Sequence, residues 1–109
     1  MADTTDNRTF GDIATKLLME NDRVRIWEMR LAPGERSAIH QHDLDYMLVL
    51  LEGDRIAADP EPDTGGAFNQ YFEADVVPGS VVYIERGGIE TAVNIGEKPY
   101  REILIELKD

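Results

Sequence analysis

The only two histidines in this 109-residue chain, His40 and His42, stand one residue apart. In a strand, successive side chains alternate faces, so both imidazoles point the same way while Gln41 faces opposite. Two imidazoles on one face can fill two positions around a divalent metal. The sequence has no cysteine, so a metal would have only nitrogen and oxygen donors to use. Asp43-Leu44-Asp45 then reads as a turn, and residues 46–51, from Tyr46 to Leu51, as a returning strand apolar on both faces. Pro33-Gly34 opens this unit and Glu52-Gly53 closes it.

A second unit repeats the plan. Pro78-Gly79 leads into a strand at residues 81–84, a turn at Arg86-Gly87-Gly88 and a strand at residues 89–95 that carries Glu90. Taken alone, His-x-His is also what two polar residues on a partly exposed strand look like, and Glu90 is also a solvated glutamate after a turn.

The spacing of the first unit resembles the first motif of the cupin superfamily. Gly34, His40, His42 and Gly53 fall at the motif positions, and Tyr46 stands where the family has a glutamate. In the second motif Gly79, Gly87 and Asn94 match, Glu85 replaces a proline and Glu90 replaces the third histidine. The resemblance covers roughly residues 20–108. It implies a small double-stranded β-helix, or jelly-roll barrel, whose two strand–turn–strand corners meet at one mouth. His40, His42 and Glu90 would then converge as a two-His-one-carboxylate metal set.

Such a set leaves coordination positions open and suits iron(II), manganese, nickel or zinc. Its affinity should fall below that of a complete three-His-plus-Glu site. A phenol with a pKa near ~10 is a poor ligand at neutral pH. Tyr46 is therefore the candidate catalytic residue, a hydrogen-bond donor toward metal-bound water or substrate, with packing in the barrel mouth as the alternative. Asp45 is either a fourth ligand or the cap of its own turn. Trp27, Tyr83 and Arg25 are candidate pocket walls that packing explains equally well.

The elements that must position these residues read as short strands. Residues 1–14 are expected as a flexible arm and 15–109 as one β-barrel domain. Residues 15–20 suit a strand or a short helix, and Asn21-Asp22 a turn. Strands are expected at 24–31, 54–58, 67–75, 81–84, 89–95 and 100–108. Prolines, glycines and acids over 59–66 make a solvated hairpin connection, with a lid as the lesser reading. In the last strand Ile103, Ile105 and Leu107 share one face and Glu102, Glu106 and Lys108 the other. Even spacing of strands and Pro/Gly turns argues for an all-β sandwich or barrel without any family.

The net charge of −11 repels nucleic acid. The first ten residues lack the basic start and apolar core of a secretory signal, and no apolar run approaches the ~20 residues of a membrane helix. The expectation is a cytoplasmic protein without nucleic-acid or membrane partners. No phosphate-binding glycine loop or nucleophile–base motif is present. The expected function is a metal-dependent enzyme of dioxygenase, isomerase or lyase type acting on a small metabolite. The alternative is a non-catalytic binding or sensing protein with a degenerate site. Met47, Val49 and Leu51 facing outward, together with the pairing common among cupins, imply a homodimer.

Overall fold

The computed structural model describes residues 8–67 and 69–109, and its regular elements are all β-strands. In chain order they are β1 (Lys16–Glu20), β2 (Val24–Leu31), β3 (His40–Gln41), β4 (Tyr46–Glu52), β5 (Arg55–Pro60), β6 (Phe72–Asp75), β7 (Val81–Ile84), β8 (Ile89–Asn94) and β9 (Tyr100–Leu107). They form a five-stranded sheet ordered β1-β2-β9-β4-β7 and a four-stranded sheet ordered β3-β8-β5-β6. The strand pairings are antiparallel. Among the described residues no helix is long and apolar enough to cross a membrane.

Local chemistry explains the turns. Asn21 ends β1 because its side-chain oxygen accepts from the backbone N–H of Arg23 and Val24, at 2.8 and 2.9 Å, which starts the hairpin into β2. This resolves residues 16–20 as a strand. The four motif glycines, Gly34, Gly53, Gly79 and Gly87, all have positive φ, from 83° to 143°. That backbone region is open to glycine and strained for other side chains. Gly53 has no room either, since a Cβ there would stand 3.0 Å from the Tyr100 ring.

Asn94 fastens the end of β8 to the last turn. It is fully buried, and its amide donates to the carbonyls of Leu31 (3.0 Å) and Lys98 (2.8 Å) while its oxygen accepts from Gly96 N–H (3.0 Å). One side chain thereby satisfies three backbone groups that the turn leaves unpaired.

The core lies between the sheets and gathers Met29, Leu31, Tyr46, Leu50, Ile84, Tyr100 and Leu104. β9 alternates as its sequence predicts, with the glutamates inward. Tyr100, Glu102, Leu104 and Glu106 are buried, while Ile103, Ile105 and Leu107 are only half-buried on the outer face. Burying a carboxylate costs several kcal/mol unless partners meet it. Glu106 has them, because one of its oxygens accepts from Trp27 Nε1 at 2.7 Å and Arg25 Nε at 2.6 Å. Glu102 accepts a short hydrogen bond from the Tyr100 hydroxyl.

Residues 1–7 of the expected arm lie outside the described residues. The rest of it is laid onto the sheets. Phe10 bridges to Ile39, Gly11 N–H donates to the Ile39 carbonyl at 2.8 Å, and Ile13 and Ala14 are buried in the core.

Candidate metal and ligand site

β3 is only two residues long, yet it fixes the site. It pairs with β8 so that His40 stands directly opposite Glu90 and Gln41 opposite Ile89. Residues paired across antiparallel strands share a face, so His40 and Glu90 both point inward. His42 follows just past β3, held by its backbone N–H to Gly88 O and by Gly87 N–H to its own carbonyl, each 2.8 Å. His40 and His42 are buried and Gln41 is exposed, the alternation a strand demands. Tyr46, at the start of β4 on the other sheet, reaches across to the same spot.

One ligand atom from each of His40, His42 and Glu90 lies within 4.8 Å of the others. His42 Nε2 is 3.2 Å from Glu90 Oε1. Two donors bound ~2.1 Å from one ion stand roughly 3.0–3.4 Å apart, so this pair is already at coordinating separation. His40 Nδ1 is 3.0 Å from the Ala38 carbonyl. A carbonyl only accepts, so Nδ1 carries the proton and Nε2 presents a bare lone pair, as a metal-binding histidine requires. Burial, reinforced by His42, holds the His40 imidazole below its ordinary pKa and keeps it neutral. Burial pushes the Glu90 carboxyl up. The hydrogen bond from His42 and the neighbouring imidazoles outweigh that effect and hold Glu90 below the ordinary carboxylate value.

His40 and Glu90 therefore fit a divalent ion in donor type and protonation, while His42 fits in donor type but would have to release the Nε2 proton that it donates to Glu90. His42 Nδ1 is buried without a hydrogen-bond partner among the described residues. Outer partners of ligating histidines typically carry 10–100-fold in metal affinity.

Tyr46 is stacked on His42, with ring centroids 4.0 Å apart and planes inclined by 14°. Its hydroxyl donates to Glu90 Oε1 at 3.4 Å. Burial, with the charges of Glu90 and Glu102, raises its pKa far above the ordinary value, so it remains a phenol and a donor. Asp45 turns away from the site. It accepts from Arg86 backbone N–H (2.9 Å), Arg86 Nε (3.1 Å) and the Tyr83 hydroxyl (3.0 Å), and so caps the turn. Trp27 and Arg25 are committed to Glu106, and Tyr83 is more than half exposed on the outer sheet face. None of the three lines the cavity.

The cavity itself, about 170 Å³, opens between the sheets beside the histidines. Its walls are apolar, including Met29, Leu48, Leu50, Ile56, Phe72, Val82 and Leu104. His40, His42, Tyr46 and Glu90 form one polar region, and Tyr100 and Glu102 supply another. Sequence reasoning missed this second pair. Glu102 could have been flagged only by recognising that its face of β9, rather than the isoleucine face, turns inward. The expected 59–66 connection begins two residues later, because Asp59 and Pro60 pair with Thr91 and Glu90 as the end of β5, and residues 61–66 belong to the β5–β6 connection. Thr64 Oγ1 accepts from Ile89 N–H at 2.8 Å, and Gly65 N–H donates to Gly87 O at 2.8 Å, so the loop is tied to the β7–β8 turn whose backbone holds that of His42.

No protein-family model and no curated protein matches the chain. Solved structures do. A cupin domain from Bordetella pertussis Tohama I superposes with a TM-score of 0.72 at 18% identity, covering 91% of this chain and all of that one. An RmlC-like cupin family protein with a double-stranded β-helix fold from Methanocaldococcus jannaschii gives 0.64 at 14% identity, over 98% and 94% of the two chains. A polyketide cyclase from Streptomyces resistomycificus gives 0.58 at 22% identity, over 82% of this chain and 57% of the cyclase. With two antiparallel sheets closed over one cavity and these structures superposing along most of its length, the chain has the cupin fold, a small double-stranded β-helix.

Proposed function

We propose that this protein is a small metal-dependent enzyme in which His40, His42 and Glu90 hold one divalent ion and the apolar cavity receives a small organic metabolite. The observation that carries this reading is the approach of three donor atoms to within 4.8 Å in the wall of a mainly apolar cavity. Iron, manganese, nickel and zinc all accept such a donor set. When bound, the ion supplies Lewis-acid polarisation of a substrate oxygen or, as iron(II), activation of dioxygen. Dioxygenase, isomerase and lyase chemistries are the classes in view. Tyr46 donates a hydrogen bond or proton at its hydroxyl, and its ring holds the His42 imidazole in place by stacking. The apolar walls orient the body of the substrate and exclude water. The likeness to a polyketide cyclase, an enzyme of this fold, supports a catalytic use of the pocket.

A thermal-shift series tests the metal. Iron(II), manganese, nickel or zinc added to chelator-treated protein should raise Tm in the wild type and leave His40→Ala unchanged. Equal shifts in both would contradict the assignment. The second reading, a non-catalytic binding or sensing protein, is favoured by the unpartnered His42 Nδ1. A small molecule that raises Tm equally in wild type and His40→Ala would select it.

The same proposal includes a homodimer through the outer face of the five-stranded sheet. Met47 pairs with Tyr83 and Ile105, and Val49 with Val81 and Ile103, so these side chains share that face. Val81 and Tyr83 are 60% and 55% exposed. A broad apolar sheet face of this kind is the usual mark of an interface.

A further inference from the structure

The metal set leaves one buried polar pair of the cavity unused. Glu102 lies on β9, between Met29 of β2 and Leu50 of β4 in the sheet register, and is 5% exposed. It lines the cavity, and its one hydrogen bond among the described residues is the short one donated by Tyr100, to Oε1. Structural glutamates elsewhere in this interior are treated differently. Glu106, two turns of the alternation along the same face, accepts from Trp27 and Arg25 at Oε1, leaves Oε2 buried without a partner among the described residues, and lies outside the cavity lining, so unlike Glu102 it is ion-paired and faces no open space. Glu102 has no cationic partner among the described residues, sits against an apolar space, and has burial as the main reason its pKa is pushed up to about 7. A carboxyl kept so expensively in an apolar wall needs a partner, and the open side of the group is the cavity.

We propose that Glu102, held by the Tyr100 hydroxyl, is a second polar anchor of the cavity and binds the hydroxyl group of a neutral, benzene-sized ligand. The size follows from the volume, since an apolar cavity of ~150 Å³ takes up benzene and this one measures about 170 Å³. The polar group follows from the carboxyl. Tyr100 occupies Oε1 as a donor, which leaves Oε2 to accept when ionised and to donate when protonated. A hydroxyl both donates and accepts, so it pairs with Oε2 in either state. An anionic ligand head at this end would meet a carboxyl, with Glu90 on the facing sheet and −11 on the whole chain adding repulsion. A cationic head would have to shed its water in apolar walls, at a cost of several kcal/mol. The inference rests on the reading of the cavity as a ligand site and is made for the metal-free protein.

The test uses metal-free full-length protein and calorimetric titration with phenol, toluene and benzylamine. Wild type should bind phenol at least 10-fold more tightly than toluene, which has the same ring without the hydroxyl. Glu102→Leu should bring the two affinities together or reverse them, while Glu102→Gln, which still donates and accepts, should keep the preference for phenol. If Glu102→Leu does not fold, the side-chain carboxyl 13C resonance of Glu102 in wild type decides, shifting with phenol and staying put with toluene. An unchanged phenol-to-toluene ratio in Glu102→Leu, or an unmoved resonance with phenol bound, would overturn the role of Glu102 alone. Tighter binding of benzylamine than of phenol would overturn the neutral ligand. Failure of wild type to bind any of the three would overturn the cavity as a ligand site together with this assignment.

Discussion

His40 and Glu90, fifty residues apart in sequence, are direct cross-strand neighbours between β3 and β8. That single register places a neutral imidazole beside a carboxylate, with the stacked His42 and Tyr46 rings completing the wall. A one-residue slip of β3 would turn His40 outward and Gln41 inward, and would dismantle the site. The register is held on both sides, by His42 N–H to Gly88 O and by Ser37 N–H to Ala92 O, each 2.8 Å.

Asn94 is predicted to be a stability residue. Asn94→Ala removes three side-chain hydrogen bonds and leaves the buried Leu31 carbonyl without that donor. The expected loss is about 2–4 kcal/mol, seen as a Tm lowered by roughly 8 °C or more in calorimetry. A drop of under about 2 °C would contradict the role given to this side chain.

Glu102 makes a pH-dependent prediction of definite sign. Its carboxyl titrates near 4.5 when unfolded and is pushed up to about 7 in the fold, chiefly by burial and also by Glu90 on the facing sheet, with Tyr100 opposing. The folded state therefore holds the proton longer. Stability from this group is fully present below about pH 4.5 and is lost as pH rises through about 7, up to about 3 kcal/mol in all. Glu102→Gln removes the titration. Its Tm relative to wild type should climb between those pH values and level off above them. A constant difference across the range would contradict the buried, raised carboxyl.

The outer face of the five-stranded sheet predicts a dimer. Sedimentation velocity at micromolar concentration should show two copies, and Met47→Glu, in the middle of that face, should shift them to monomers with the fold intact by circular dichroism. Wild-type monomers at that concentration would remove the interface.

Much of this architecture was legible in the residues themselves, for physical reasons. Positive-φ glycines and Pro-Gly turns recur where strands must reverse, so Gly34, Gly53, Gly79 and Gly87 mark the corners. Alternation gave the strands, and His-x-His gave a shared face. What stayed hidden were facts about pairing between distant segments. Nothing within residues 89–95 says that Glu90 stands opposite His40 rather than facing solvent. In β9, hydrophobicity favours burying Ile103, Ile105 and Leu107. The structure buries Glu102 and Glu106 instead, because Trp27, Arg25 and Tyr100 are there to meet them. Those partners lie up to 81 residues away, except Tyr100 on the same strand. Asp45 was open between ligand and cap until the Arg86 and Tyr83 contacts assigned it to the turn.

The central claim is that His40, His42 and Glu90 form a metal site. Its most direct test is metal content by plasma mass spectrometry on tag-free protein, since a histidine tag would itself capture metal. The account predicts about one equivalent of iron, manganese, nickel or zinc per chain, present as isolated or after anaerobic reconstitution with iron(II), and lost in a folded His42→Ala variant. No metal under either condition, or equal metal in His42→Ala, would contradict it.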